Sequence, residues 1–153
     1  MDNPNIEIVS CKTKHIREMA IKMNAKSAEM AFRLGMNPKK ALWQSYKQSL
    51  ISRTIFVNGE IAAIFGISGI IFEDRGRPWL IMAPIAEDYP FRVAFMYRSE
   101  LKKMQEMFPI LEDYVSDVDE QAIRMLELMG FKLDNEKIPV GDAIMLRAER
   151  RAI

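Results

Sequence analysis

The N-terminal segment shows first strand-like and then helical spacing of its hydrophobic residues. Apolar and polar residues alternate in Ile6–Val9, which predicts a short strand. A helix is then predicted to begin at Lys14, with Thr13 as its cap, and to continue to about Leu34, where Gly35 ends it. The inward positions of this helix are Ile16, Met19, Ala20, Met23 and Ala28.

Asn37 and Pro38 predict the start of a second helix, because Asn is favoured as N-cap and Pro at the first helical position. Its amphipathic pattern comprises Ala41, Leu42, Ser45, Tyr46 and Leu50.

Three antiparallel strands are predicted to follow in succession. Asn58-Gly59 separates the β-branched and apolar runs Ser52–Val57 and Glu60–Gly66, which is a strong hairpin signal because a type I′ turn needs positive φ at both central residues. A second turn over Phe72–Pro78 is expected to lead into the strand Trp79–Ala83.

The second half of the chain predicts a long helix, a strand and a shorter helix. The long helix covers roughly Phe91–Met107, between Pro90 and Pro109, and a strand over Leu111–Val115 follows. Its apolar positions are Val93, Phe95, Tyr97, Leu101, Met104 and Phe108.

Asp117 or Asp119 is predicted to cap the shorter helix, and Gly130 to end it. Phe131–Leu133 and Ala143–Leu146 suggest two closing strands. The inward residues of the helix would be Ala122, Ile123, Leu126 and Met129.

This order predicts an α+β fold with a mixed, mostly antiparallel sheet and helices on both faces. The chain has 153 residues, and no repeat or linker divides it, so a single domain over 1–153 is expected. The 22 basic and 21 acidic residues give a net charge of +1, so neither nucleic acid nor a membrane surface is expected as a partner. The polar start and the short apolar run Ile61–Phe65 predict neither a signal peptide nor a membrane span.

The element order resembles that of the GNAT (Gcn5-related N-acetyltransferase) fold. Two segments are similar to that family: the helix and Gly-Phe ending in Asp119–Phe131, and the hairpin Val57–Ala62. The resemblance implies a GNAT-like domain over nearly the whole chain.

A narrower resemblance is to GNAT-like proteins of tailed phages, including the internal virion protein family of short-tailed phages. Three segments carry it: the Pro-Trp-Leu strand in Arg77–Leu80, the helical step Phe95–Ser99, and Tyr114–Asp117 with the ending at Phe131. It implies a bacteriophage protein located in the virion, and in the host cytoplasm during assembly.

GNAT enzymes hold the acetyl-CoA diphosphate in a Gly-rich loop after the fourth strand, where backbone N–H groups at a helix start bind anionic oxygens. The corresponding stretch, Ala83–Arg92, contains no glycine, and Pro84 and Pro90 each remove a donor. Glu87 and Asp88 would place two carboxylates beside the phosphates. No cofactor-binding residue is therefore assigned, and no cofactor is expected.

The family's catalytic positions carry unsuitable residues as well. Leu126 replaces the tyrosine acid, Asp119 replaces an asparagine, and Trp79–Ala83 offers no ionisable base. We therefore assign no catalytic residue. A non-catalytic role is favoured over catalysis.

Other reactive groups have ordinary structural interpretations. With Cys11 and His15 as the single Cys and His, no disulfide or metal site is predicted, and the expectation is a buried Cys and a helix-surface His. Glu112-Asp113 is explained by strand alternation. Core packing is expected of Met125, Leu128, Met129, Trp43 and Trp79. For the two tryptophans, the alternative is a role at a protein interface.

Three short basic runs are expected to lie on solvated faces: Lys39-Lys40, Lys102-Lys103 and Arg147–Arg151. For Arg147–Arg151, the alternative is a tail that contacts an acidic partner.

The preferred hypothesis is a virion-associated structural or accessory protein on a catalytically degenerate GNAT-like scaffold. It would act through contacts with other phage virion proteins or as a homo-oligomer. The alternative is an acetyl-CoA-dependent N-acetyltransferase with a divergent cofactor loop. A weaker third interpretation is a phage inhibitor of a host enzyme.

Overall fold

The computed structural model describes residues 3–33, 36–70 and 72–152. Within these ranges no helix has the length and apolar character that crossing a bilayer requires. The elements in chain order are β1 (Ile6–Ser10), α1 (Thr13–Lys22), α2 (Ala25–Arg33), α3 (Pro38–Gln48), β2 (Ile51–Val57), β3 (Glu60–Gly69), β4 (Arg75–Met82), a 3₁₀ turn (Pro84–Asp88), α4 (Pro90–Met104), β5 (Ile110–Ser116), α5 (Glu120–Leu128), β6 (Lys132–Val140) and β7 (Ala143–Arg151).

The strands form one seven-stranded sheet in the order β1-β2-β3-β4-β5-β7-β6. All neighbouring pairs are antiparallel except β4 and β5, which run parallel. Residues of α1 and α3 pack in one cluster with Ile61 and Ile64 of β3, whereas residues of α4 pack in a second cluster with Phe65 and Ile67. The predicted fold class is therefore confirmed: an α+β fold with a mixed, mostly antiparallel sheet and helices on both faces.

Phe108 anchors the end of the core beneath α4. It is completely buried, and its ring lies against Gly69 and Gly76, which are paired with each other across β3 and β4. A Cβ added at Gly76 would lie 2.6 Å from Phe108 Cδ2, and one at Gly69 would lie 2.8 Å from Cζ. These two positions are glycine because the ring occupies the space that side chains would need.

The Asn58-Gly59 turn and the Asn37 cap are confirmed. Asn58 and Gly59 both have positive φ, 51° and 78°, as the hairpin turn requires. Asn37 Oδ1 accepts from the Lys39 and Lys40 N–H groups at the start of α3. Each of these features depends on residues close together in the chain.

The single long helix predicted from Lys14 to Leu34 is wrong, because two helices occupy this segment. The break lies at Met23 and Asn24, where the Asn24 N–H donates to Met82 O and Asn24 Oδ1 accepts from Ser27 N–H. α1 also begins one residue earlier than expected, with Lys12 rather than Thr13 in the N-cap position. The predicted end at Leu34 and Gly35 lies outside the described residues.

Several other boundaries differ. β4 begins at Arg75, so the turn predicted over Phe72–Pro78 is shorter than expected. Leu50 lies beyond the end of α3, and Arg147–Arg151 is part of β7 rather than a tail. The strand register decides these boundaries because each of these segments pairs with a neighbour distant in sequence.

Three hydrophobic residues expected in the core lie on the surface. Phe95 is 78% exposed, Leu128 is 64% exposed and Met125 is 42% exposed, whereas Met129 is buried as expected. Helical spacing alone placed Phe95 on the inner side of α4, but the packed side of this helix consists of Val93, Tyr97, Leu101 and Met104.

Candidate functional site

The sheet opens between β4 and β5. The two strands are paired only at Arg75↔Ile110 and Gly76↔Leu111, although β4 continues to Met82 and β5 to Ser116. Pro78 contributes to this separation because it has no N–H with which to extend the ladder. On its other side β5 pairs with β7 along its whole length. We call the opening between Pro78–Met82 and Tyr114–Ser116 the strand gap.

The edge of β4 that borders the strand gap is already partly engaged. The Ala83 N–H donates to Ala62 O, so alternation along the strand turns the peptide groups of Pro78, Leu80 and Met82 toward the gap. Met82 O accepts from Asn24 N–H at 2.8 Å, and Met82 N–H donates to Ser27 Oγ at 3.3 Å. Leu80 is therefore the position on this edge that is left to donate to a bound molecule.

The loop Ala83–Arg92, which the sequence predicts to be unsuited to a diphosphate, lies beside the wide end of the strand gap. It forms a 3₁₀ turn over Pro84–Asp88, and α4 starts at Pro90 with Tyr89 as an N-cap that makes no side-chain cap bond. The Val93 N–H donates to Tyr89 O, so among the first helical residues only Phe91 and Arg92 have N–H groups without a helical acceptor. Two amides therefore point outward from this helix start.

Charged side chains surround these two amides. Glu87 and Asp88 are exposed in the preceding turn, and Glu87 Oε1 accepts from Asn24 Nδ2 at 3.3 Å. The Arg92 side chain donates to Asn3 Oδ1 at 3.0 Å. The loop thus places two carboxylates and one arginine near the start of α4, and a phosphate there would meet repulsion as well as donors.

A cluster of charged residues lies on the sheet face that carries α1 and α3. The buried Glu112 accepts from Arg75 Nη1 at 2.9 Å and from the Tyr114 hydroxyl at 2.5 Å. Arg77 lies 3.7 Å from the same carboxylate and stacks over the Tyr114 ring at 5.3 Å. Arg75 also pairs with Glu149. Alternation places Glu112 and Asp113 on opposite faces of β5, as the sequence predicts, but the negative charge of Glu112 is buried and is matched by these cations.

Tyr114 lies three residues beyond the last β4–β5 pair, at the strand gap. Its hydrogen bond to Glu112, together with burial, raises the pKa of the Tyr114 hydroxyl. The phenol therefore keeps its proton at neutral pH and donates it to Glu112, which leaves the phenol oxygen free to accept. Sequence reasoning missed this residue as a site candidate, although it lies in the predicted strand Leu111–Val115.

The opposite face of β5 carries Asp113. Burial raises the pKa of this carboxyl group to about 7, although its Oδ1 accepts from the Tyr114 N–H at 2.8 Å. Tyr97 of α4 lies close by in the core, and both its burial and the negative charge of Asp113 raise the pKa of its phenol. Asp113 is thus a half-buried acid with a pKa near neutral pH. The alternation of residues along the strand did not predict this raised pKa.

The positions that the resemblance singled out carry structural roles. Asp119 Oδ1 accepts from the Ala122 N–H at the start of α5. Leu126 is half-buried against the core beneath α4, and Trp79 donates from Nε1 to Ser49 Oγ at 2.7 Å. Trp43 and Trp79 are both half-buried against the cluster beneath α1 and α3. These contacts are structural.

His15 is buried, so the expectation of a helix-surface histidine is wrong. Its Nδ1 accepts from the Lys12 N–H at 3.0 Å and lies 3.0 Å from Thr54 Oγ1. Burial, reinforced by the charges of Lys14 and Lys12, lowers the pKa of His15. Cys11 is half-buried. Across residues 3–33, 36–70 and 72–152, no group of three or more His, Cys, Asp or Glu side chains is arranged to hold a metal ion.

No family model matches the sequence, and no curated protein matches it. Among solved structures, a spermidine N-acetyltransferase SpeG chimera from Vibrio cholerae and hSSAT is similar, with a TM-score of 0.72 over 95% of both chains at 11% identity. A GNAT-family acetyltransferase from Streptococcus pneumoniae has a TM-score of 0.64 over 97% of this chain and 100% of its own, at 11% identity. One from Bacillus anthracis has a TM-score of 0.67 over 99% and 96%, at 8% identity.

These similarities show that the chain has the GNAT acetyltransferase fold, as the sequence resemblance predicted. At such low identity they show the fold alone. They provide no link to phage or virion proteins.

Proposed function

We propose that this chain is an N-acetyltransferase that transfers an acetyl group from acetyl-CoA to an amine. The strand gap between β4 and β5, beside the first turn of α4, is the observation on which the proposal rests. A gap of this kind can admit an extended thioester arm along the free edge of β4 while the helix start faces the diphosphate. Similarity to structures named as acetyltransferases supports this function over a purely structural one.

The residues present fit this cofactor in part. Leu80 on the edge of β4 and the Phe91 and Arg92 amides would supply donors, and Arg92 would supply a positive charge. Glu87 and Asp88 oppose the diphosphate, and Pro84 and Pro90 contribute no N–H. We therefore expect weak binding that depends strongly on salt.

Tyr114 is the residue best placed to handle a proton. When bound, acetyl-CoA would supply an activated thioester; the amine that attacks it loses a proton to solvent, and the departing thiolate takes one up from a proton donor. The Tyr114 phenol is protonated, half-buried and oriented by Glu112. Arg75 and Arg77 hold the Glu112 carboxylate in place, so the ring is positioned before substrate arrives, and the single hydroxyl proton would have to turn from Glu112 toward the thiolate.

Two experiments test this proposal. Calorimetry measures the binding of acetyl-CoA, and a thiol-release assay then measures acetyl transfer to polyamines, lysine and peptides with free N-termini. Micromolar binding accompanied by amine-dependent thiol release would support it. The proposal is rejected if acetyl-CoA causes no heat change and no thermal shift at millimolar concentration, with the chain folded by circular dichroism.

A second candidate function is a non-catalytic phage protein in the virion that contacts other virion proteins. Two aromatic residues one turn apart on α4 favour it, since Phe91 is 82% exposed and Phe95 is 78% exposed. Exposed aromatic residues of this kind are common at protein contacts. Engagement of Met82 by Asn24 and Ser27 also leaves less of the β4 edge for a cofactor.

Mass spectrometry of purified particles and of lysates from infected cells decides between a virion role and a host-directed one. Recovery of the chain at fixed stoichiometry in particles, reduced by replacing Phe91 and Phe95 with Ser, would support the second candidate. Its absence from particles would reject that candidate and leave the acetyltransferase assay unaffected.

A further inference from the structure

A cavity of about 440 Å³ lies on the α4 side of the sheet, away from the strand gap. It is bordered by the C-terminal half of α4, by Gly130 and by the end of β7. Arg98, where it begins, lies about 12 Å along α4 from Pro90, given the rise of a helix. The cavity is therefore separate from the helix start that faces the proposed cofactor, and its volume suits a small molecule.

Positive charge dominates the lining of this cavity. Arg98, Lys102, Arg150 and Arg151 contribute cations, against the single carboxylate of Glu106. Arg151 pairs with Glu149 at 2.9 Å. No ion pair joins Arg98, Lys102 or Arg150 to a carboxylate in the part of the chain that the structure describes. Among the described residues, the three remaining cations thus face the cavity without a carboxylate paired to any of them.

Arg150 is held rigidly within the cavity wall. Its Nε donates to Met129 O at 2.8 Å, and its Nη1 donates to Gln105 Oε1. Gln105 in turn donates from Nε2 to Arg150 O at 3.0 Å and to Pro109 O at 3.3 Å. Among the described residues, none accepts from Arg150 Nη2, so one amino group of a fixed guanidinium remains to bind a ligand.

Gly130 makes room for this arrangement. It has a φ of +92°, and a Cβ added there would lie 2.9 Å from Arg150 Nε. The absence of a side chain at this position therefore allows the guanidinium to lie against the chain after α5. Burial and the neighbouring charge of Arg98 both lower the pKa of Arg150, which agrees with a crowded cationic site that an anion would relieve.

We propose that this cavity binds the phosphate group of a small molecule, through Arg98, Lys102 and Arg150. The planar fork of an arginine and the flexible ammonium of a lysine together match the tetrahedral oxygens of phosphate. Isolated surface lysines would be satisfied by water, whereas two hydrogen bonds preorganise the Arg150 guanidinium before a ligand arrives. This site is independent of the acetyl-CoA proposal.

Calorimetry with inorganic pyrophosphate in about 0.15 M NaCl, which limits unspecific attraction, tests the proposal. The test variant is Arg98→Gln with Lys102→Gln, since both side chains are exposed and the fold does not depend on them. The control is Lys39→Gln with Lys40→Gln, which removes the same charge from an exposed basic pair at the start of α3. Inorganic phosphate and adenosine monophosphate, tested in parallel, distinguish free phosphate from a phosphorylated organic ligand.

We expect submillimolar binding of pyrophosphate to the unmodified chain, weakened at least about tenfold in the test variant and unchanged in the control. Gly130→Ala should also weaken binding by displacing Arg150, with folding checked by circular dichroism. Equal weakening in both double variants would overturn the proposal, because it would indicate general electrostatic attraction. Absence of binding to the folded, unmodified chain would overturn it as well.

Discussion

The Tyr114 hydroxyl donates a 2.5 Å hydrogen bond to Oε1 of Glu112, two residues earlier on β5. Both side chains lie on one sheet face, where Arg75 and Arg77 neutralise the carboxylate. The bond keeps the phenol protonated and points it from a fixed position beside the strand gap. The position of the Tyr114 ring is thus fixed before a substrate binds, and only the hydroxyl proton would have to turn from Glu112 toward a departing thiolate.

Removing the Tyr114 hydroxyl should reduce acetyl transfer more than it reduces cofactor binding. For Tyr114→Phe we expect a fall in kcat of about 100-fold, the usual contribution of a general acid, with the acetyl-CoA affinity unchanged. Thiol-release kinetics and calorimetry measure the two quantities. Tyr46→Phe, a half-buried tyrosine on α3, is the matched control and should keep full activity. A fall of equal size in both variants would mean that a structural effect is responsible.

Neutralising the turn before α4 should strengthen acetyl-CoA binding. Glu87→Gln with Asp88→Asn removes two negative charges next to the expected diphosphate, and the amide oxygen that replaces the Glu87 carboxylate could still accept from Asn24. We expect about a three- to tenfold gain in affinity at low salt, which decreases as salt is added.

The control for this experiment is Glu73→Gln with Asp74→Asn, an exposed acidic pair in the turn that precedes β4. It changes the net charge equally at the other end of the strand and should leave the affinity unchanged. If both double variants gain equally, the effect comes from net charge and the position of the cofactor near α4 is not supported.

Asp113 should make the protein less stable as the pH rises. Its carboxyl pKa is about 7 in the folded chain, above the ordinary value of 3.8 that applies when the chain is unfolded, so the folded state holds more protons between these values. Stability from this group is complete below about pH 4, is lost as the pH rises to about 7, and is constant above that.

The Asp113→Asn variant lacks this titration and can still accept from the Tyr114 N–H. We expect it to exceed the unmodified chain in stability by about 2 to 4 kcal/mol at pH 8, with a smaller difference at pH 5. Urea unfolding at the two pH values measures this, with the exposed Asp142→Asn as the control. A pH-independent difference would show that Asp113 is not the titrating group.

Gly76→Ala should destabilise the fold by overpacking against Phe108. The added methyl group would lie 2.6 Å from the ring, which must shift, and we expect a loss of about 1 to 3 kcal/mol. Combination with Phe108→Leu should cost less than the sum of the two single changes, because the smaller side chain makes room. Chemical denaturation of the four proteins measures the coupling, and strict additivity would show that the ring is not the obstacle.

Because the chain has one histidine, the effect of burial on its pKa can be measured directly. His15 should have a pKa below 6.5 in the folded chain, because burial and the charges of Lys14 and Lys12 disfavour the imidazolium. Nuclear magnetic resonance of the Cε1 proton across pH 4 to 8 gives the value without assignment, since one histidine is present. A midpoint at or above 6.5 would contradict the buried environment that Thr54 and Phe56 provide.

Local interactions decided the features that could be predicted from sequence. The Asn58-Gly59 turn, the Asn37 cap, the Asp119 cap and the stop at Gly130 each depend on residues within one turn of one another. The succession of these signals also predicted the fold class, because the order of elements restricts how a sheet and its helices can pack.

Tertiary contacts decided what the sequence left open. Asn24 divides one predicted helix into two because its backbone meets Met82, which is distant in sequence, and Phe95 lies outside because the core contacts other residues of α4. The burial of Glu112 depends on arginines from another strand, and the cationic cavity depends on Arg150 meeting α4. The periodicity of hydrophobic residues indicates which residues lie on the same face of a helix or strand. Which face is covered, and which charges meet across the sheet, is determined only when distant segments pack together.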